Sequence, residues 1–299
     1  MVEHQSLSQT AVEEPSAASK QASPPGKALN FIVYEKQNGF SVGAEAREFL
    51  LGLRDEYVGV IAVAGKYRTG KSFLLNRILL EQQRTSGFGV GPTINPCTKG
   101  LWIWNQPIDL VDSRTQKPFK CLVVDSEGIG AFNEDQNHDT RIFLLALLIS
   151  SYFVFNSMGT IDEQALQNLS LIVNLSKSIQ VRNSRVSGAG LSDAGEDEDD
   201  PDELAKFFPS FMWVVRDFTL RLLDADGNKI NQREYLEQSL RELKGNSDSV
   251  ENKNRVRRMI VSFFRDRDCF TMVRPTEDEK QLQKLQDLSD EQMRPEFVA

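Results

Sequence analysis

Cysteines are few in this chain, and it has neither an excess of basic residues nor a long apolar segment. The three cysteines, Cys97, Cys121 and Cys269, are widely spaced and odd in number, which argues against a disulfide framework or a zinc site. They suit a reducing compartment, so we expect a cytoplasmic protein, with nuclear or membrane-recruited locations as alternatives. Lys and Arg number 35 against 43 Asp and Glu, a net charge of −8. That balance argues against nucleic-acid binding, which requires a basic surface.

No segment predicts direct membrane insertion. Residues 1–27 are rich in Ser, Ala, Gln, Glu and Pro without an apolar core, so they predict a disordered tail and not a secretory signal. The longest apolar run, residues 142–149, is too short to span a bilayer and predicts a buried helix.

The strongest motif is a candidate phosphate-binding loop at residues 65–72, which fits the pattern G-x-x-x-x-G-K-[ST]. The apolar stretch 57–64 before it predicts a buried strand, and residues 72–83 predict a helix with one apolar side. This arrangement directs several backbone N–H groups at one anion. We predict that Lys71 reaches the β- and γ-phosphates and that Ser72 ligates Mg²⁺. The predicted nucleotide-binding residues here are Gly65, Tyr67, Arg68, Thr69, Gly70, Lys71, Ser72 and Phe73.

The order of the elements predicts an α/β fold, a mostly parallel central sheet with helices on both faces. A hairpin at 30–34 and 40–42 and a helix at 44–51 precede the phosphate-loop strand. Further strands are predicted at 100–104, 119–124, 152–155, 211–215 and 269–272, and helices at 140–150, 162–177, 232–243 and 250–264. Residues 182–203 interrupt this order. Eight of the eleven residues from 193 to 203 are acidic, which predicts a flexible, solvated insertion, with Mg²⁺ capture as the alternative.

Two further segments suit a site for the γ-phosphate. Residues 122–128 form an apolar strand ending in Asp125, with Gly128 three residues later. We predict that Asp125 holds Mg²⁺ through a water and that the Gly128 N–H faces the γ-phosphate; an ordinary strand end is the alternative. Residues 87–100 are rich in Gly and Pro and predict a mobile switch segment, or else a plain surface loop. Within it we choose Thr98 over Thr93 as the Mg²⁺ ligand, because it lies closest to the next strand.

The base-reading element is less obvious, because the usual guanine signature Asn-Lys-x-Asp is absent. Residues 228–231 and 252–255 look like it but lack the final aspartate. Strand 211–215 is instead followed by Arg216 and Asp217, at the strand end where α/β sheets bind ligands. The Asp217 carboxylate could accept hydrogen bonds from guanine N1–H and the exocyclic amine, whereas adenine has no N1–H. On these residues alone, a surface ion pair and an ATPase both stay open.

Six motifs occur together and in order: GKYRTGKS, TKGLWIW, DSEG, FNSMGTID, VVRDF and CFTMVRP. In this respect residues 28–299 resemble the large GTPase domain of the guanylate-binding proteins, relatives of the dynamins and atlastins. The resemblance implies a large GTPase domain over 28–290, guanine binding by Asp217 and a flexible cap near 250–268. It also implies a helical stalk that would start within 291–299.

The resemblance further implies how hydrolysis would proceed. Arg68 would act in cis when two domains dimerise across their nucleotides, and Glu127 would organise the network that positions the attacking water. The predicted catalytic residues are therefore Arg68, Lys71, Thr98 and Glu127.

Vertebrate members carry a serine two residues before the switch threonine, where this chain has Pro96. From the motifs and the resemblance we predict a Mg²⁺-dependent GTPase that dimerises, with a role in defence or in assembly on membranes or condensates. GDP is the expected product, and further conversion to GMP is the open alternative. A GTP-binding switch with little hydrolysis is the alternative.

Overall fold

The computed structural model describes residues 26–35, 39–80, 87–89, 100–128, 136–169 and 208–298. Thr98, Pro96, residues 1–25 of the predicted tail 1–27 and the acidic segment 182–203 lie outside these residues. The predictions made for them, and the predicted division into domains, therefore stay predictions.

The described strands form one nine-stranded sheet. Its order is β2-β1-β4-β6-β3-β7-β8-β9, and β5 pairs with β6. The strands β6, β3, β7, β8 and β9 are parallel neighbours, whereas β1, β2, β4 and β5 pair antiparallel. The strands are β1 Ala28–Glu35, β2 Gly39–Val42, β3 Val58–Gly65, β4 Leu101–Trp104, β5 Ile108–Val111, β6 Pro118–Ser126, β7 Tyr152–Met158, β8 Ser210–Arg216 and β9 Arg267–Thr271.

The helices lie on both faces of this sheet, because each central strand is apolar on both sides. On β3, Ala62 and Ala64 belong to one core cluster with α1 and α3–α6, while Val63 belongs to the other with α2. The helices are α1 Ala44–Leu51, α2 Lys71–Leu74, α3 Gln136–Ile149, α4 Glu163–Leu169, α5 Gln232–Ser239, α6 Asp248–Phe263, α7 Glu279–Leu282 and α8 Pro295–Val298. The predicted α/β class is confirmed.

Some elements differ from the predictions. The strand β5 was not predicted; it is a short edge strand that depends on pairing with β6. The helix predicted at 72–83 is α-helical only as far as Leu74 and continues as a π-helical turn over Leu75–Leu79. Of the helix predicted at 162–177, the structure describes Glu163–Leu169. The short helices after residue 278 were also missed, because none is long enough to show a period.

Candidate nucleotide-binding site

The candidate site lies where four parallel strands end at one edge of the sheet. In the register of the strands, Gly65 of β3 pairs with Asn156 of β7, and Val63 pairs with Asp125 of β6. Arg216 ends the next strand, β8, opposite Met158. The carboxyl ends of parallel strands are where open α/β sheets bind ligands, so the topology brings the separate predicted motifs together.

The backbone of the phosphate loop is held in conformations that favour glycine. Gly65 has φ 148°, and a Cβ there would lie 2.1 Å from the carbonyl oxygen of Asn156. Gly70 has φ 76° and precedes α2. Arg68 adopts φ 62° although it is not glycine, and residues in the left-handed region cluster at binding sites.

Asn156 anchors the loop and was not singled out from the sequence. It is fully buried, and its Nδ2 donates to the Thr69 carbonyl at 3.0 Å and to Thr69 Oγ1 at 2.7 Å. Thr69 Oγ1 in turn donates to the Lys66 carbonyl at 2.8 Å. The available signal was a polar residue within the apolar strand β7, since buried amides are kept only where they are hydrogen-bonded.

Lys71 is held as a buried cation beside two carboxylates. Its side chain is buried, and Nζ donates to the Lys66 carbonyl at 3.3 Å. Burial lowers the pKa of Lys71, while Asp125 and Glu127 act in the opposite direction. A buried ammonium of this kind is stabilised by further anionic charge, which is what a triphosphate would bring.

Two of the three residues predicted to hold Mg²⁺, Ser72 and Asp125, lie together, whereas the third, Thr98, lies outside the described residues. Ser72 Oγ donates to Asp125 Oδ2 at 2.5 Å, and Asp125 is fully buried. A hydroxyl and a carboxylate beside a phosphate loop are the hard oxygen ligands that Mg²⁺ takes in nucleotide sites, with phosphates and waters completing the shell. Within the described residues no group of three or more His, Cys, Asp and Glu could hold a metal alone. Ser72 and Asp125 supply two hard oxygens, which fit an ion whose other ligands come from phosphates and water.

Arg216 lies beneath the phosphate loop. It is buried, and its Nη1 donates to the Gly70 carbonyl at 3.2 Å. The guanidinium carbon lies 6.0 Å from the ring centroid of Phe73 and 5.8 Å from that of Phe297. Burial lowers the pKa of Arg216, and the neighbouring Asp217 raises it. These contacts suit a side chain that supports the loop from below.

Asp217 follows directly and projects from a strained turn. Its φ is 54°, a region that non-glycine residues adopt rarely. The side chain is 25% exposed, and Oδ2 lies 3.7 Å from Arg274 Nε, so the carboxylate is accessible and only loosely paired. The carboxylate can therefore accept a hydrogen bond from a ligand at this strand end.

Gly128 touches the phosphate loop directly. A Cβ at this position would lie 2.1 Å from Tyr67 Cα and 2.5 Å from Tyr67 N. The segment after β6 and the phosphate loop therefore approach each other backbone to backbone.

Because of that contact, Gly128→Ala is expected to weaken GTP binding by about tenfold or more, as overpacking costs ~1–3 kcal/mol. Titration calorimetry measures the change. Gly52→Ala is the matched control, since Gly52 has φ −66° at the end of α1. Unchanged GTP affinity in Gly128→Ala, with the fold intact by circular dichroism, would contradict the close approach.

Comparison with known proteins identifies the family. A model of the guanylate-binding protein N-terminal domain matches residues 37–299. This chain belongs to the guanylate-binding protein family. It is 38% identical over 269 residues to guanylate-binding protein 4 of Homo sapiens, covering 89% of this chain and 39% of that protein. It is 40% identical over 267 residues to guanylate-binding protein 1 of Chlorocebus aethiops, covering 88% of this chain and 42% of that protein.

The predicted resemblance to the large GTPase domain of the guanylate-binding proteins is thereby confirmed. The chain spans about two fifths of the length of these relatives, 39% and 42%. Among the described residues, no helix combines the length and the apolar character needed to cross a bilayer. The roles assigned to individual site residues stay predictions.

Proposed function

We propose that this domain binds GTP together with Mg²⁺, hydrolyses it to GDP, and dimerises through its nucleotide-binding face. The observation that carries the proposal is the convergence at one sheet edge of Lys71, the Ser72–Asp125 pair and Asp217. Lys71 suits the triphosphate, the Ser72–Asp125 pair suits its metal, and Asp217 suits a guanine base. Membership of the guanylate-binding protein family supports the same assignment.

Binding of the triphosphate rests on the loop and its supports. The N–H groups from Tyr67 to Ser72 and the start of α2 would receive the phosphate oxygens, with Lys71 supplying a cation. Asn156 and Arg216 fix the loop through the carbonyls of Thr69 and Gly70. Because these bonds form within the protein, the loop is organised before the nucleotide arrives, which reduces the ordering cost of binding.

The ion would be held by Ser72 and, through water, by Asp125. A bound Mg²⁺ would neutralise part of the negative charge of the triphosphate. Thr98, which lies outside the described residues, is proposed as a further ligand from the switch segment.

Hydrolysis would require Arg68 to reach the charge that develops on the γ-phosphoryl group. Arg68 is exposed at the rim of the loop. An arginine in solvent stabilises such charge poorly, since water screens it, whereas a partner surface that excludes water strengthens the interaction. This is the physical reason to couple turnover to dimerisation.

The second candidate function is a GTP-binding switch or assembly module with little hydrolysis. Pro96 favours it, because proline supplies neither a hydroxyl nor an N–H at a position where related proteins carry serine. Single-turnover assays separate the two functions: bound GTP that stays intact for hours indicates the switch.

The proposal is tested by measuring GTP turnover per molecule against protein concentration, beside light scattering with no nucleotide, GDP, a non-hydrolysable GTP analogue and a transition-state mimic. We expect turnover to rise steeply with concentration, and a dimer with the analogue or the mimic. Turnover per molecule that stays flat over a wide range would exclude dimer-driven catalysis.

The wider role is proposed on the family alone. We propose a cytoplasmic protein acting in defence or in assembly on membranes or condensates.

A further inference from the structure

His138, near the start of α3, is a buried side chain that is not among the residues assigned to the nucleotide-binding site. Its Nε2 lies 3.1 Å from Glu127 Oε2, and both side chains are buried. A carboxylate can only accept hydrogen bonds, so the imidazole donates from Nε2. Within the described residues, Nδ1 has no hydrogen-bond partner. His138 therefore directs its hydrogen bond at one oxygen of Glu127.

Oε2 of Glu127 also binds Gly100, the last residue of the predicted switch segment. The Gly100 N–H donates to Glu127 Oε2 at 2.9 Å, and the Glu127 N–H donates to the Gly100 carbonyl at 2.9 Å. Oε2 thus accepts two hydrogen bonds, whereas Oε1 is buried and has no partner among the described residues. The carboxylate is held by one oxygen and keeps the other for a further donor.

The β1–β2 hairpin holds the imidazole ring in turn. The ring stacks on Phe40, with centroids 5.8 Å apart and planes at 12°, and lies tilted against Tyr34 at 4.7 Å. Aromatic contacts of this kind restrict the ring to one orientation. The hairpin, His138, Glu127 and Gly100 therefore form one continuous set of contacts.

We propose that His138 is a positioning residue for GTP hydrolysis, holding Glu127 so that Oε1 can order the attacking water. The inference rests on the proposed function, in which Glu127 organises that water. A carboxylate held by one hydrogen bond instead of two samples more orientations, and small misplacements near a reacting atom can cost about 10²-fold in rate. Lys71 donates to the Lys66 carbonyl, Ser72 to Asp125 and Arg216 to the Gly70 carbonyl, so we expect nucleotide affinity to be unaffected by a change at His138.

Two substitutions separate the hydrogen bond from the ring contact. His138→Phe keeps a ring against Tyr34 and Phe40 but removes the donor. His138→Gln loses the ring but can place an amide N–H near the position of Nε2. We expect His138→Phe to lower the single-turnover rate by about 10- to 100-fold with unchanged GTP affinity, and His138→Gln to retain most of the rate. An unchanged rate in His138→Phe, or equal losses in both variants, would overturn the proposal.

A second measurement does not depend on activity. The chain has two histidines, His4 and His138, so a His4→Gln variant leaves one imidazole to observe by ¹H–¹⁵N NMR. We expect His138 as the Nε2–H tautomer, with its Nε2 resonance shifting in Glu127→Gln. A resonance insensitive to Glu127→Gln would overturn the inference even if the wild-type domain hydrolyses GTP. Conversely, if the domain does not hydrolyse GTP but the Nε2 resonance shifts in Glu127→Gln, the proposed function would be wrong, while the hydrogen bond between His138 and Glu127 would be established.

Discussion

Arg68→Ala is expected to lower GTP turnover by about 10³-fold or more while leaving GTP affinity nearly unchanged, as arginines that stabilise phosphoryl transfer supply ~10³ to 10⁵ in rate. Arg68 is exposed in the monomer, so its contribution to ground-state binding is screened by water. Single-turnover rates measured at protein concentrations well above the dimerisation range report the loss.

Alanine is the informative replacement at this position. Arg68 has φ 62°, and alanine keeps the Cβ and hence the backbone strain, so the substitution removes the side chain beyond Cβ, with its guanidinium, and leaves the backbone conformation equally strained. Lys66→Ala is the matched control, because Lys66 is an exposed cation of the same loop and its backbone carbonyl, which the substitution keeps, accepts from Thr69 and Lys71. Equal losses in the two variants would indicate a general charge effect and contradict a specific role for Arg68.

The sequence was sufficient for the parts of the site that depend on local pattern. A glycine-rich loop with this motif between an apolar strand and a helix commonly forms a phosphate-binding loop, and β3, the loop and α2 have this order. The antiparallel hairpin of β1 and β2 likewise follows from a turn between two apolar segments. In both cases the local preference and the tertiary environment agree.

The rest could not be predicted, because it depends on which strands become neighbours. Asn156 supports the phosphate loop only because β7 lies beside β3, and Arg216 reaches Gly70 only because β8 lies beyond β7. Periodicity shows that a strand is buried but does not give its order in the sheet.

The same limit applies to the end of the described chain. Phe297 packs on Phe73, with ring centroids 6.1 Å apart, and Arg77 of the turn after α2 pairs with Asp290. These contacts join residues more than 200 positions apart in the sequence. No pattern within either segment indicates the other, so the support that they give to α2 became visible only in the structure.

Asp217→Asn is expected to weaken guanine binding and to change the preferred base of the site from guanine to xanthine. Guanine presents two donors, N1–H and the exocyclic amine, and the Asp217 carboxylate can accept both. Asparagine offers one acceptor and one donor, so its N–H would oppose the guanine amine. Truncating one partner of a buried charged hydrogen bond costs ~2–5 kcal/mol, so we expect GTP affinity to fall by about a hundredfold. ATP binding should stay weak and unchanged.

Xanthosine triphosphate makes the test specific. Xanthine keeps N1–H but carries a carbonyl in place of the exocyclic amine, so asparagine can both accept from N1–H and donate to that carbonyl. We therefore expect Asp217→Asn to bind xanthosine triphosphate more tightly than GTP, as measured by competition against a fluorescent nucleotide. Asp55→Asn, an equal charge change at the opposite edge of the sheet before β3, should leave the preference for GTP intact. Discrimination between GTP and ATP that is unchanged in Asp217→Asn would remove Asp217 as the reader of the base, whatever its effect on turnover.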